Sequence, residues 1–349
     1  MEIPATLESA IDAAVTHHLR SELGARGLLL DSADLGLSES TNAALGRWLM
    51  ERLLRECYPD AEGLAVQFER TGDMARIGAA LAFGAVTSRV LAGAHDRAGR
   101  RTSAEYLCAV FNLAIGLVDG ICDGDTTIGV QLLDHCENAD LIGAAIERRQ
   151  RGWLHTQLPD LLAADDTVAF TATVIEAFFA NLHDLYSDDP EVRGIVGRQL
   201  GDALHAETAS VRDPFTALSA AGRIECSRAT SVLPFGIIST ITNAEAAPTV
   251  SARATLLGEA MWRVDDLVDL VDDARNGALN GVLLAACGKR ARYDTADLAA
   301  VLDSPVIAAA AAEAALRLHD GLPAVRVFSE DQRAYLAFVQ RYAAIVPAL

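Results

Sequence analysis

Three observations predict an all-α protein. Alternating β-branched or aromatic runs bounded by Asn-Gly or Asp-Gly turns are scarce. Helix-forming Ala, Leu, Arg and Glu recur instead at the three- and four-residue spacing of one helical face. Gly, Pro and Asp gather in short clusters between those stretches, where a helix has to stop.

The periodic stretches predict helices in order along the chain. The first three cover 6–24, 40–57 and 72–94. The fourth, 102–122, is an apolar helix that acquires aspartates just as it runs into a glycine-rich turn. A shorter helix follows at 138–150, then 167–186 and 190–210, separated by the cluster from Tyr186 to Pro190. Helix 215–241 ends before the cluster from Asn243 to Pro248. Helix 250–273 carries most of the remaining acidic pattern, and 295–319 and 329–345 close the chain. No internal repeat and no low-complexity linker divides these elements, so residues 1–349 are read as a single helical domain.

A chain of 349 residues with 51% hydrophobic and 22% charged residues can bury a large core. The net charge of -19 argues against nucleic-acid binding, since phosphate backbones are held by clustered Lys and Arg. Cys57, Cys108, Cys122, Cys136, Cys226 and Cys287 lack metal-site or redox spacing, and no cleavable leader pattern opens the chain, so a reducing cytoplasm is expected. Mean hydropathy is +0.21, yet Arg, Asp or Glu interrupt the apolar runs, and no membrane span is expected. HExxH, GxSxG and glycine-rich phosphate-loop patterns do not occur, which argues against hydrolytic metalloenzyme, nucleophilic and dinucleotide chemistry.

Two carboxylate clusters carry the chemistry. In the first, Asp119 and Asp123 lie four apart on one helical face, followed by Asp125, and no Lys or Arg occurs from Thr102 to Glu147. Like charges at this spacing repel by about 0.2–0.5 kcal/mol unless a cation lies between them. The second is Trp262-Arg-Val-Asp265-Asp266-Leu-Val-Asp269-Leu-Val-Asp272-Asp273, where Asp265, Asp269 and Asp272 form one stripe and Asp266, Asp269 and Asp273 an overlapping one. An acidic pair is ordinarily a solvated face; five acids within about two turns of an otherwise apolar helix repel one another strongly enough to call for a hard divalent ion. Magnesium takes oxygen ligands and keeps waters and phosphate oxygens, so one or two carboxylates per ion from each helix suffice.

These residues resemble the class I isoprenoid synthase superfamily, closest to its trans-prenyl diphosphate synthase branch and the terpene cyclases related to it. Gly258 to Asp269 is similar to that branch's second aspartate-rich motif, Arg228-Ala-Thr230 to its Lys-Thr pair, and Gln199-Leu-Gly-Asp202 to its Gln-x-x-Asp, in the family's order and approximate spacing. Arg341-Tyr342 is similar to an Arg-Tyr pair near the C-terminus of many bacterial cyclases that senses diphosphate. The resemblance spans roughly half the chain and is specific in its second half.

The resemblance implies an antiparallel helical bundle, a homodimer, and more than one Mg2+ held by Asp119, Asp123, Asp265, Asp266 and Asp269 on opposite walls of a cleft. It implies that Arg228 contacts the diphosphate of a linear allylic prenyl substrate, together with Gln199, Asp202, Thr230, Arg341 and Tyr342. Phe111, Ile115, Phe235 and Trp262 are candidate pocket residues, with ordinary core packing as the competing account. Gly120 stands where the first motif should have a second aspartate, and the Arg-Arg-Gly and Gly-Gly-Lys-x-x-Arg-Pro elements that chain-elongating members use are missing. An enzyme handling one diphosphate needs less basic charge, so a terpene synthase or cyclase is favoured over a chain-elongating prenyltransferase. A non-catalytic helical partner subunit is the third reading. Substrate length and product skeleton depend on cavity shape.

Overall fold

The computed structural model describes residues 3–58, 73–92, 98–124, 126–136, 139–148, 152–212, 219–243, 248–288, 290, 292–322 and 327–345. Among the described residues all regular structure is helical, in seventeen helices with no strand. They are α1 (Ala5–Ala25), α2 (Ser32–Cys57), α3 (Asp73–Leu91), α4 (Ala98–Gly124), α5 (Thr126–Cys136), α6 (Ala139–Arg148), α7 (Trp153–Gln157), α8 (Pro159–Ala164) and α9 (Asp166–Leu185). Then follow α10 (Pro190–Arg212), α11 (Ala220–Thr242), α12 (Pro248–Val268), α13 (Leu270–Asn276), α14 (Gly281–Cys287), α15 (Thr295–Asp303), α16 (Val306–Gly321) and α17 (Glu330–Tyr342).

The differences from the sequence expectation have local causes. α2 starts earlier than predicted because Asp31 Oδ1 accepts from the amides of Ala33 at 3.0 Å and Asp34 at 2.8 Å, a ready helix cap. The stretch 295–319 is two helices: Pro305 cannot donate to the helical ladder, and α16 restarts after it. Predicted helix 250–273 is interrupted at Asp269, whose φ of -94° and ψ of 8° leave the helical region. α14 escaped the periodicity reading altogether; its start is set by Asn280, whose side chain accepts from the amides of Val282 and Leu283.

The chain divides into two compact units, Met1–Gly36 with Ala209–Phe235 and Ala252–Leu349, and Leu37–Thr208 with Gly236–Ser251. In the second, α4 is the central element, burying Leu107, Val110, Phe111, Leu113 and Ala114. Each of these Leu, Val and Phe side chains contributes about 1.5–3 kcal/mol of transfer free energy when buried. α3 lies close enough against it that a Cβ at Gly84 would sit 2.4 Å from the Cys108 carbonyl oxygen. Asn112 donates to the Ala80 carbonyl at 2.9 Å across the same contact. Gly84→Ala is therefore expected to cost about 1–3 kcal/mol, because the neighbouring atom is backbone and cannot rotate away. Urea unfolding checks this; an unchanged midpoint contradicts the close crossing. The α9 face carrying Phe178 packs on α4, with the Phe111 and Phe178 rings 5.4 Å apart.

In the first unit α1 buries Ile11, Val15, Leu19 and Leu23 against α16 and α15. The facing stripe of α16 is mostly alanine, Ala310, Ala311, Ala314 and Ala315, which lets the two helices approach closely. Among the described residues two helices, over Met74–Leu91 and Arg101–Cys122, are long and apolar enough to cross a membrane by length and composition; 61% of each window is buried inside the protein.

Candidate metal and diphosphate site

α11 and α12 build the basic end of the site. They cross at Gly258, where a Cβ would lie 2.8 Å from Val232 Cα, so only glycine permits this spacing. The crossing brings Trp262 Nε1 to within 2.9 Å of Ser227 Oγ, to which it donates, and fixes Trp262 as a buried element of this packing. It also brings Glu259 to Arg228. The guanidinium donates to both oxygens of Glu225, at 3.1 and 2.9 Å, and to Glu259 Oε1 at 2.9 Å. Thr230, one of the residues expected to meet substrate, directs its hydroxyl to the Ser227 carbonyl at 2.9 Å. Phe235 is buried in the same unit beside Gly258.

Further along α12 the five acids of the stripe separate into three environments. Asp266 and Asp273 turn inward to the corner formed by Asn280 and Gly281. Asp266 Oδ1 accepts from the Gly281 amide at 3.0 Å, while Oδ2 is buried with no hydrogen-bond partner and lies 3.8 Å from Arg263 Nη1. Asn280 donates to the Asp266 carbonyl at 2.7 Å and to Asp273 Oδ2 at 2.8 Å. Burial pushes the Asp266 carboxyl up to about 7 and the Asp273 carboxyl up to about 8, against the opposing pull of Gly281 and Asn280 respectively. Asp272 points elsewhere and pairs with Arg275, which also reaches Glu8 on α1 at 3.1 Å.

Asp265 and Asp269 remain together. The Tyr342 hydroxyl at the end of α17 lies 2.5 Å from Asp265 Oδ1 and 3.1 Å from Asp269 Oδ2. One phenolic proton thus serves two carboxylates, and burial together with those carboxylates holds it tightly on the oxygen. Tyr342 is nonetheless 40% exposed, as an outer wall of this pair. Arg341 beside it is exposed and has no carboxylate partner among the described residues.

The remaining candidates lie in the other unit. Asp119 is exposed near the end of α4; the Asp123 side chain and Asp125 lie outside the described residues. On α10, Asp202 is exposed and Gln199 Oε1 is buried without a hydrogen-bond partner. Phe111 and Ile115 share an apolar cavity with Val118, Leu132, Phe178 and Leu200, enclosing about 420 Å³ of empty space including its open part.

The donor set fits magnesium in part. Asp265 and Asp269 are neighbouring hard oxygen donors on an accessible face, the number a Mg2+ ion takes from a protein when waters and phosphate oxygens complete its shell. Asp266 and Asp273 do not fit, since both are committed to the Asn280-Gly281 corner. Among the described residues, no three or more His, Cys, Asp or Glu side chains gather to hold a metal ion by themselves. Asn280, Gly281, Glu259 and Arg317 were missed by sequence reasoning; Asn280-Gly281, the second of two Asn-Gly pairs after the stripe, was a local signal. No family model, curated protein or solved structure matches this chain.

Proposed function

We propose that this protein is a class I terpene synthase that ionises a linear allylic prenyl diphosphate with Mg2+ and releases diphosphate. The observation that carries the reading is the Tyr342 hydroxyl seated on Asp265 and Asp269. Two features far apart in the chain, each of which resembles a diphosphate-handling element of one superfamily, meet at one point.

In this reading Asp265 and Asp269 hold metal, and Asp119 and Asp123 contribute the second set of carboxylates. Bound Mg2+ supplies neutralisation of the charge that builds on a departing diphosphate. Arg228 presents a planar, permanently charged fork to diphosphate oxygens. Arg341 adds an exposed cation beside Tyr342, whose hydroxyl donates to Asp265 and Asp269. The cavity at Phe111 and Ile115 offers an apolar surface that keeps water from a hydrocarbon chain. The homodimer and the cytoplasmic setting implied by the resemblance belong to the same proposal.

Metal and diphosphate bind the folded site and leave the unfolded chain nearly alone. At about a hundred times the dissociation constant they add about 2.7 kcal/mol, which raises Tm by several degrees. Differential scanning fluorimetry with Mg2+ and inorganic diphosphate together checks this; an unchanged Tm contradicts the reading. Adding isopentenyl diphosphate to the turnover assay separates cyclisation from chain elongation, because only the latter consumes it.

A further inference from the structure

We infer that Glu225 and Glu259 latch Arg228, Glu225 as a placeholder that an anionic ligand displaces and Glu259 as the positioning residue that keeps the arginine in place. The inference rests on the diphosphate reading of Arg228 and adds how that residue is held ready.

The two carboxylates are not equivalent. Glu225 sits one turn away on the same helix, its side chain is 63% exposed, and it takes the Nε and Nη2 edge of the fork with both oxygens. That edge is the one a phosphate group engages with two oxygens, so the carboxylate stands where a phosphate would dock. An exposed pair of this kind is held weakly and yields to an anion of higher charge. Glu259 comes from α12, is only 20% exposed, and takes Nη1 with one oxygen while its other oxygen forms an ion pair with Arg317 of α16, 3.2 Å from Nε but without a hydrogen bond to it. A phosphate on the Nε edge leaves that contact intact.

Beyond Arg317 the alternation continues. Arg317 Nη2 lies 3.8 Å from Glu313, Glu313 accepts from Arg263 Nε at 3.0 Å, and the Arg263 guanidinium sits 3.9 Å above the Trp262 ring and 3.8 Å from Asp266. A line of charges of alternating sign therefore runs over α11, α12 and α16 from Arg228 to the acidic stripe. Glu259, next to Arg228 in that line, is shared by Arg228 and Arg317, which gives it the leverage to aim Arg228.

The test is isothermal titration of the full-length chain with inorganic diphosphate in the presence of Mg2+. Glu225→Gln is expected to tighten binding about two- to fivefold, since it removes a competing carboxylate. Glu259→Gln is expected to weaken it about tenfold, with Glu259→Asp recovering part of the loss. Arg228→Gln weakens it further. Should Arg228→Gln bind as tightly as the wild type, the diphosphate reading of Arg228 itself fails. Weaker binding in Arg228→Gln, with Glu225→Gln no tighter than wild type, overturns the latch and leaves that reading standing. A Glu259→Gln variant that melts earlier but keeps the wild-type dissociation constant has only a structural role, and the positioning assignment is overturned.

Discussion

Asp265→Asn is expected to reduce Mg2+-dependent diphosphate release about 10²–10³-fold, the order lost when a group that stabilises developing charge is removed. The substitution keeps the shape and one oxygen, so the packing of α12 is undisturbed. It removes the charge from the member of the pair closest to Tyr342, at 2.5 Å. Asp265 is exposed, and its loss relieves repulsion along the stripe, so the ligand-free protein should be no less stable. Asp272→Asn is the internal control: Asp272 is committed to Arg275, away from Tyr342, and its substitution should leave turnover within a few-fold of wild type. Equal losses in both variants, or in neither, contradict the proposed assignment of metal binding to Asp265 and not to Asp272.

The second large effect is a pH dependence of stability in the absence of metal. Asp266 and Asp273 titrate near 7 and 8 in the folded protein and near 4 when unfolded. Their folded forms hold protons more tightly, so the stability they contribute is full below pH 4 and is lost as pH rises through 7 and 8. At the acid end, Glu147 and Glu225 work the other way. Their pKa values are lowered by hydrogen bonds from Arg193 and Arg228, and what they contribute is lost as pH falls. Stability should therefore peak in mildly acidic buffer and fall by on the order of 3 kcal/mol by pH 9. Urea titrations at stepped pH check this. Asp266→Asn should make the alkaline limb shallower, leaving the part due to Asp273, while preserving the acceptor for Gly281; an unchanged limb in that variant contradicts the assignment to this corner.

Periodicity made the helices legible wherever an apolar stripe persisted, as on α4 and α9. It failed at short elements whose existence depends on a cap, such as α14, since Asn280 carries no hydrophobic signal. Of the candidate site, the helical spacing of Asp265 and Asp269 was readable, and the structure keeps those two together under Tyr342. The same spacing could not distinguish them from Asp266, Asp272 and Asp273, because the interruption at Asp269 and the inward pull of Asn280 and Gly281 come from tertiary packing. The pairing of Arg228 with Glu259 was equally out of reach: it depends on how α11 and α12 cross at Gly258. Two adjacent residues, Arg341 and Tyr342, are weak evidence as a sequence pattern, and the weight they carry comes from where α17 places them.

Whether ionisation depends on metal and needs both acidic clusters is decided by measuring diphosphate release from a panel of linear allylic prenyl diphosphates with wild type, Asp119→Asn and Asp265→Asn. Mg2+-dependent release from at least one substrate is expected of the wild type, with a loss of about a hundredfold or more in each variant on that substrate. Absence of release from every substrate by the wild type, or equal release by all three proteins, contradicts that expectation.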